Sequence, residues 1–210
     1  YYRDEALRTP EGGLNHMGTV ELFGVSLWAD SLFMFGNVMT GCGVLEDDAS
    51  VLDMYAEQYR IFAELMLEPA GFFKHAVQTP FEQDDDVYWA RANGWILAAG
   101  ADHLSARIDR GEFPFAGDLA VMATSHDTLA GAVVATQDEE SGLWWTVVNR
   151  PGETYLETSA SALFGYGLAR SWRYGLQGDE VLPTIREALR GVRERIELDD
   201  EGRPVITGIS

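Results

Sequence analysis

The feature that most constrains the fold is one supersecondary unit that recurs along the chain. Four short segments, "PEGGLNH", "EPAGFFKH", "EESGLWW" and "DDEGRPV", align with their glycines in register. These glycines are Gly13, Gly71, Gly142 and Gly202, separated by 58, 71 and 60 residues. Each segment combines an acidic or turn-forming start with a glycine, which predicts a short hairpin. The repeated unit is therefore predicted to be a hairpin followed by two helices.

Six segments carry apolar residues at helical spacing. They are residues 24–40, 47–67, 87–108, 117–137, 158–174 and 181–197. The stretches "LWADSLFMFGNVM" and "NGWILAAGA" are apolar on nearly all sides, whereas "IREALRGVRERIE" has a charged face. Helices of the first kind are predicted to form an inner layer that helices of the second kind cover. Because a lone helix pair cannot bury both faces, the repeats are predicted to close into a toroid of helical hairpins, an (α/α) barrel.

The charge balance argues against nucleic acid as a partner. The chain has 34 acidic residues against 15 basic ones, a formal charge of -19, so phosphates would be repelled. Lys74 is its only lysine, which suits either a high-salt cytoplasm or a GC-rich genome. No apolar run of about 18 residues and no leader is visible, so a cytoplasmic location without a membrane partner is expected. Because the first residue is Tyr1, a removed leader stays open.

Side chains at the helix starts are predicted to converge on one mouth of the toroid, because each hairpin leads into a helix. The polar and aromatic residues there are His16, Trp28, Asp30, His75, Trp89, Arg91, Asn93, Trp95, Tyr155, Glu157 and Ser159. Aromatic faces stack on the apolar side of sugar rings, while Arg and His bind carboxylates or hydroxyls. This set is typical of a carbohydrate site. Ligands with metal spacing are absent from the sequence, so no metal and no other cofactor is expected.

Four segments at helix starts and hairpins carry a resemblance to a known family. "WARANGW", "LWADSLFM", "GFFKH" and "GLWWTVVNRPGETYLETSASALFGYGLAR" together resemble glycoside hydrolase family 105, the unsaturated rhamnogalacturonyl hydrolases, and more distantly the unsaturated glucuronyl hydrolases of family 88. The resemblance implies an (α/α)6 barrel. It also implies an enzyme that removes a 4,5-unsaturated uronic acid from the non-reducing end of lyase-generated oligosaccharides, as in the breakdown of rhamnogalacturonan and pectin.

The resemblance gives Asp30 the role of general acid and base. In the mechanism it implies, the acid protonates C4 of the unsaturated ring, water adds at C5, and the resulting hemiketal opens. Apolar neighbours on the helix predict a raised pKa for Asp30, which suits a proton donor. The alternative is an aspartate that faces solvent or makes an internal hydrogen bond.

The same resemblance implies that Trp89, Arg91 and Trp95 bind the uronate, with Arg91 near its carboxylate and the indoles as walls. On an ideal helix Trp89 and Arg91 are about 200° apart, so they share a pocket only if the helix is just beginning. For each tryptophan the alternative is a core position.

Further sugar contacts are expected from His16, His75 and Trp28, and Glu157 is expected at the rim or behind it. For both histidines the alternative is capping or hairpin stabilisation. His103 and His126 are predicted to be ordinary helix residues.

A complete barrel needs six hairpins, and this chain supplies about three. Residues 1–210 are therefore predicted to form about the C-terminal half of one barrel domain, with a second active-site aspartate upstream. The expected partners are an unsaturated oligosaccharide and either the missing N-terminal half or a second copy of the chain. The alternative function is a non-catalytic helical-repeat module that binds glycans or proteins through the same mouth.

Overall fold

The computed structural model of the chain describes residues 1–22, 24–81 and 86–209. Within these ranges the chain forms six α-helices, as predicted, and short extended segments precede or follow the helix pairs. The helices are α1 (Ser31–Leu45), α2 (Ala49–Met66), α3 (Ala90–Asp109), α4 (Asp118–Ala135), α5 (Thr158–Arg173) and α6 (Leu182–Arg193). A 3-10 turn at Asp179–Val181 leads into α6. In this part of the chain, no helix combines the length and apolar character needed to cross a bilayer.

The helices form two layers. In the inner layer α3 packs against α1 on one side and α5 on the other. The outer helices α2, α4 and α6 cover α1, α3 and α5 respectively, and α2 also packs against α4. The largest fully buried side chains lie between these layers or under a hairpin, and they include Tyr55, Tyr59, Phe62, Trp144 and Phe164. The predicted division into inner and outer helices is therefore confirmed.

Two antiparallel strand pairs are present in the described ranges, and the first joins the second hairpin to the segment before α1. Strand β1 (Leu27–Trp28) pairs antiparallel with β2 (Ala76–Val77), with Trp28 opposite Ala76. Strands β3 (Ile196–Leu198) and β4 (Pro204–Ile206) form a second antiparallel pair, with Glu197 opposite Val205. The hairpin of the second repeat is thus fixed against the residues that precede α1.

The first helix differs from its predicted bounds of 24–40. It begins at Ser31, because residues 27–28 form β1 instead of a helical turn. It continues through Gly41 and Gly43 to Leu45, five residues past the predicted end. A Cβ at Gly43 would lie 2.6 Å from the Leu52 side chain, so this glycine lets α2 approach α1 closely.

The turn glycines of the repeats occupy the left-handed region of φ, which glycine tolerates without a steric cost. Those of the last three repeats, Gly71, Gly142 and Gly202, have φ of 85°, 71° and 76°. In the first repeat Gly12, with φ of 92°, takes this position instead of the predicted Gly13. The amide of Gly12 donates to Thr9 O (2.9 Å) just as that of Gly71 donates to Glu68 O (2.8 Å). The first repeat is therefore shifted by one residue from the sequence alignment.

Helices α3 and α5 approach closely through glycines on their facing sides. A Cβ at Gly94 would lie 2.9 Å from Leu163 Cβ, and one at Gly167 would lie 2.8 Å from Leu97 Cγ. Both distances are shorter than side-chain contacts allow, so only glycine permits this helix spacing. The close approach brings the first turn of α3 beside the start of α5.

Two buried histidines connect helices within the core. His103 Nδ1 lies 2.8 Å from Thr40 Oγ1, and His126 Nε2 lies 2.8 Å from Ser171 Oγ. Burial, with a smaller effect of Arg107, lowers the pKa of His103 to about 3, and burial lowers that of His126 to about 4. Both rings are therefore neutral near pH 7 and belong to the helix packing.

The glycine contact between α3 and α5 gives a stability prediction. Gly167→Ala should lower the free energy of unfolding by about 1–3 kcal/mol, because the new methyl group overlaps Leu97. Gly131→Ala on α4, where no atom lies within 4 Å, is the matched control and should raise it by roughly 0.5–1 kcal/mol through helix propensity. Urea unfolding of both variants measures this difference. Equal stability of the two would show that the α3–α5 spacing does not require glycine.

Candidate active site

Asp30 lies at the start of α1 but its side chain does not cap that helix. Its carboxylate makes no capping hydrogen bond to α1. Instead, Oδ2 lies 3.1 Å from Nε2 of His75, which follows the second hairpin. The Asp30 and His75 side chains are 27% and 31% exposed, so the pair is accessible to solvent. Because the carboxylate does not cap the helix, it is available for chemistry with a ligand.

The environment of Asp30 lowers its pKa, which contradicts the predicted rise. Burial is the largest single influence and by itself raises the pKa of the carboxyl, as the sequence suggested. The hydrogen bond and charge of His75, a backbone hydrogen bond at Asp30 itself and a smaller contribution from His16 together outweigh burial and bring the pKa below its ordinary value. Burial lowers the pKa of His16 as well, with Asp30 opposing this and His75 adding to it. Without a ligand, Asp30 is therefore a carboxylate at neutral pH.

Trp28 lies between His16 and His75, the two histidines that are predicted to contact a sugar. Its ring centroid lies 5.3 Å from that of His16 and 5.1 Å from that of His75, edge-on to the latter. Its Nε1 donates a hydrogen bond to Ser26 Oγ (3.0 Å), and His16 Nδ1 lies 2.8 Å from Ser31 Oγ. The structure thus brings His16, Trp28 and His75 together around Asp30.

Trp89 and Arg91 lie where α3 is just beginning, which is the condition for both side chains to share a pocket. Trp89 has extended backbone angles, φ −73° and ψ 120°, and α3 begins at the next residue. Its side chain is 41% exposed, and its ring centroid lies 6.3 Å from that of His75. The Arg91 side chain is 39% exposed. Trp89 therefore lies next to the hairpin that carries His75, and Arg91 follows it on α3 with its guanidinium near Glu157 of the α5 start.

Glu157 lies behind Arg91 and not at the rim. Its side chain is 1% exposed, and Oε1 lies 3.5 Å from Arg91 Nη1. The carboxylate caps α5 by accepting from the amide of Ala160, and it also accepts from Ser159 Oγ (2.7 Å). A carboxylate so deeply buried does not reach a sugar in the mouth. Of the two predicted positions for Glu157, at the rim or behind it, the structure shows the second, in contact with Arg91.

Trp95 lies one turn further along α3. Its ring centroid is 4.4 Å from that of Phe33 on α1, and the side chain is half-buried. Among the described residues, its ring contact is with Phe33 and not with Trp28, Trp89 or His75. This contact bridges α1 and α3, and the wall position that the resemblance implies for Trp95 stays a prediction.

The repeats position their functional side chains through an equivalent backbone hydrogen bond. An amide at the start of each inner helix donates to a carbonyl that follows the next hairpin. The three bonds are Ala29 N to His75 O (2.9 Å), Ala90 N to Thr146 O (2.9 Å) and Thr158 N to Gly208 O (2.8 Å). The residue that follows each donor is therefore equivalent across the repeats: Asp30, Arg91 and Ser159. The starts of the three inner helices thus carry a carboxylate, a guanidinium and a hydroxyl at equivalent backbone positions.

Sequence reasoning missed two polar residues that orient this site, Ser26 and Ser31. Each follows or precedes a predicted site residue closely, but serines next to such residues are too common to be a signal by themselves. Across the described ranges, no three His, Cys, Asp or Glu side chains are grouped so that they can hold a metal ion.

Curated relatives cover most of the chain. It is 37% identical over 167 residues to Protein Atu3128 of Agrobacterium fabrum, covering 72% of this chain and 69% of that protein. It is 28% identical over 212 residues to the unsaturated rhamnogalacturonyl hydrolase YesR of Bacillus subtilis, covering 99% of this chain and 58% of that protein. The chain thus spans somewhat more than half of the length of YesR.

A solved structure shows the same fold. The crystal structure of a possible member of the GH105 family from Salmonella enterica superposes with a TM-score of 0.82 at 23% identity. The alignment covers 99% of this chain and 59% of that one. This likeness assigns the six helices to the (α/α)6 barrel class.

The family itself follows from a match along the whole sequence. The sequence profile of Glycosyl Hydrolase Family 88 matches residues 1–210. The resemblance carried by "WARANGW" and the other segments is confirmed. The chain belongs to Glycosyl Hydrolase Family 88.

Proposed function

We propose that this chain forms the catalytic site of a hydrolase that removes a 4,5-unsaturated uronic acid from the non-reducing end of lyase-generated oligosaccharides. The observation that carries the proposal is the Asp30–His75 pair, whose Oδ2 and Nε2 atoms are 3.1 Å apart. Asp30 is at the start of α1, and Arg91 is at the start of the neighbouring inner helix α3. Membership of the family and the likeness to YesR favour an oligosaccharide of the rhamnogalacturonan type.

In the proposed reaction Asp30 is both the acid and the base. Its proton goes to C4 of the unsaturated ring, and positive charge develops at C5, next to the ring oxygen. Water attacks C5 while the Asp30 carboxylate takes one proton from it, which restores the acid. The resulting hemiketal opens and releases the shortened oligosaccharide. One carboxylate is enough for this sequence, unlike the two that flank the scissile bond in other glycosidases.

Substrate binding must reverse the protonation preference of Asp30. In the free site His75 and His16 favour the carboxylate form. A uronate bound beside Asp30 adds a like charge and excludes water, and both effects raise a carboxyl pKa. Burial is already the largest influence on this group, so covering the mouth with a sugar ring strengthens the effect that favours the acid. The substrate thereby prepares its own proton donor.

Arg91 is proposed to bind the uronate carboxylate. A guanidinium offers two parallel N–H donors that match a carboxylate, and Arg91 is exposed enough to present them. Glu157 holds Nη1 from the buried side, which limits the orientations of the side chain. The arginine is therefore directed toward the mouth before the ligand arrives.

The aromatic side chains supply the walls of the proposed sugar site. Trp28 and Trp89 flank His75 with ring centroids 5.1 and 6.3 Å from it. Trp95 supports the wall from α3 through Phe33. His16, which is neutral near pH 7 because of its lowered pKa, can exchange hydrogen bonds with sugar hydroxyls.

The role of Asp30 gives the first test of this function. Asp30→Asn keeps the size of the side chain but removes the exchangeable proton, so turnover should fall at least about a hundredfold. Turnover is measured by loss of the ultraviolet absorbance of the conjugated double bond. Asp48→Asn, which alters the exposed cap of α2, is the matched control and should keep wild-type turnover. Near-normal turnover of Asp30→Asn would refute the mechanism, and a wild-type protein that binds the sugar without consuming the double bond would be a binding module.

The role of Arg91 gives a test of specificity. Lysine keeps the charge but lacks the planar fork, so Arg91→Lys should lower kcat/KM for the unsaturated uronide by roughly tenfold or more. Arg60→Lys is the control, because Arg60 pairs with Glu64 and Asp118 on the outer helices. Steady-state kinetics of both variants measures the effect. If Arg91→Lys matched the control, Arg91 would have a structural role only.

The three hairpins are further proposed to be one part of a six-hairpin ring. One side of α1 exposes Met34, Val38 and Leu45, which are 53%, 52% and 84% accessible. At the opposite edge an apolar cleft of about 300 Å³ lies between α5 and α6, beside Tyr166 and Leu189. Such apolar surfaces at both edges fit further helices of a ring, from the same polypeptide or from a second copy.

Light scattering tests the ring. The 210-residue chain alone should dimerise or aggregate, because both apolar edges are exposed. The same protein extended by any upstream coding sequence should be monodisperse and active. A stable and fully active monomer of the 210-residue chain would contradict the proposed ring.

A further inference from the structure

Asn93 has a buried amide that connects two segments of the site. It lies in the first turns of α3 and is completely buried. Its Oδ1 accepts from Phe73 N (2.8 Å), and its Nδ2 donates to Phe73 O (3.1 Å) and to Trp89 O (3.1 Å). Both polar backbone groups of Phe73 are thereby tied to the start of α3.

The segment held in this way leads directly to His75, two residues later. The carbonyl of His75 accepts from Ala29 N (2.9 Å), and its imidazole lies 3.1 Å from the Asp30 carboxylate. Residues 73–75 are therefore fixed at one end to α3 and at the other to the start of α1. A displacement of Phe73 moves the ring that contacts Asp30.

Another repeat shows that the fold does not require asparagine at this position. Ser161 on α5 is equivalent, because it follows Glu157 by four residues as Asn93 follows Trp89. Its Oγ accepts from Trp144 N (3.0 Å) and donates to Glu157 O (2.7 Å). The carbonyl of Trp144 accepts from Glu157 N instead of from a side chain (2.8 Å). Serine thus suffices to fasten a hairpin to its helix.

The equivalent position on α1 is apolar. Leu32 occupies it and offers no hydrogen-bond acceptor to the first hairpin. The hairpin amide of Leu14 donates instead to Gln58 of the outer helix α2 (2.7 Å). The fold therefore holds equivalent hairpins with a serine or with a side chain from another helix. The bond from Asn93 Nδ2 to Phe73 O has no side-chain counterpart at Trp144, and it occurs in the repeat whose hairpin carries the partner of Asp30.

We propose that Asn93 is a positioning residue of the active site, which sets the distance and orientation of His75 relative to Asp30 by holding both backbone groups of Phe73. The inference rests on the proposed function in that Asp30 is the acid and base. Asn93 itself is completely buried and acts only through His75.

The inference has a consequence that can be measured at Asp30. His75 from the second hairpin and His16 from the segment before α1 act on this carboxyl, and His75 has the larger effect in lowering its pKa. If Asn93 fixes His75, loss of the clamp weakens that effect. Burial, which raises the pKa of Asp30, then predominates.

The experiment is an NMR titration of the Asp30 side-chain carboxyl carbon, assigned by its loss in Asp30→Asn. Asn93→Ala should raise the midpoint by roughly one pH unit, toward the value in His75→Gln. Asn93→Ser keeps an acceptor for Phe73 N, as Ser161 does for Trp144, so it should fold and give an intermediate midpoint. Ser161→Ala is the matched control, because it removes an equivalent buried clamp from a hairpin without His75. Its midpoint should equal that of the wild type.

Two results would overturn the proposal. One is a wild-type midpoint in folded Asn93→Ser and, if it folds, in Asn93→Ala. The other is an equal rise in Ser161→Ala, which would show that any loosened hairpin changes Asp30. The titration requires no turnover, so a wild-type protein without hydrolase activity would refute the proposed function and leave this test of Asn93 intact.

Discussion

The structure depends on the hydrogen bond between the amide that begins each inner helix and the carbonyl that follows the next hairpin. In the first repeat this bond joins Ala29 N to His75 O. Because His75 provides both this carbonyl and the imidazole beside Asp30, one backbone contact fixes the fold and the site together. The layered helices bury the core, but this bond decides which side chains meet at the mouth.

The inner and outer helices could be predicted because apolar periodicity reports which faces are buried. The start of α1 could not, since residues 27–28 adopt a strand only by pairing with residues 76–77. A two-residue strand has too little sequence for a local pattern, and its partner is distant along the chain. The shift from Gly13 to Gly12 has a similar cause, because the two adjacent glycines are alike in sequence and only the hydrogen bond from Gly12 to Thr9 distinguishes them.

The sequence predicts a set of site residues, and several of them lie close together, but their environments differ from those expected. The effect of burial on Asp30 was correctly expected from its apolar neighbours, yet the pKa falls because His75 lies beside it. No pattern within "SLWADSLFM" contains that partner. Glu157 shows the same limit, because a carboxylate at a helix start can face the mouth or, as here, cap the helix and support Arg91 from below. The resemblance implies a wall position for Trp95, and no pattern in the sequence predicts its contact with Phe33 of α1.

The equivalence of Asp30, Arg91 and Ser159 has a consequence for how such a site changes over time. The bonds that align the three helix starts use main-chain atoms only, so they do not depend on the side chain that follows. Duplicated hairpins can therefore diverge at this one position without loss of their mutual alignment. Aspartate, arginine and serine occupy this position in successive copies. A substitution in any one copy changes the chemistry of the mouth while the backbone alignment of the repeats is kept.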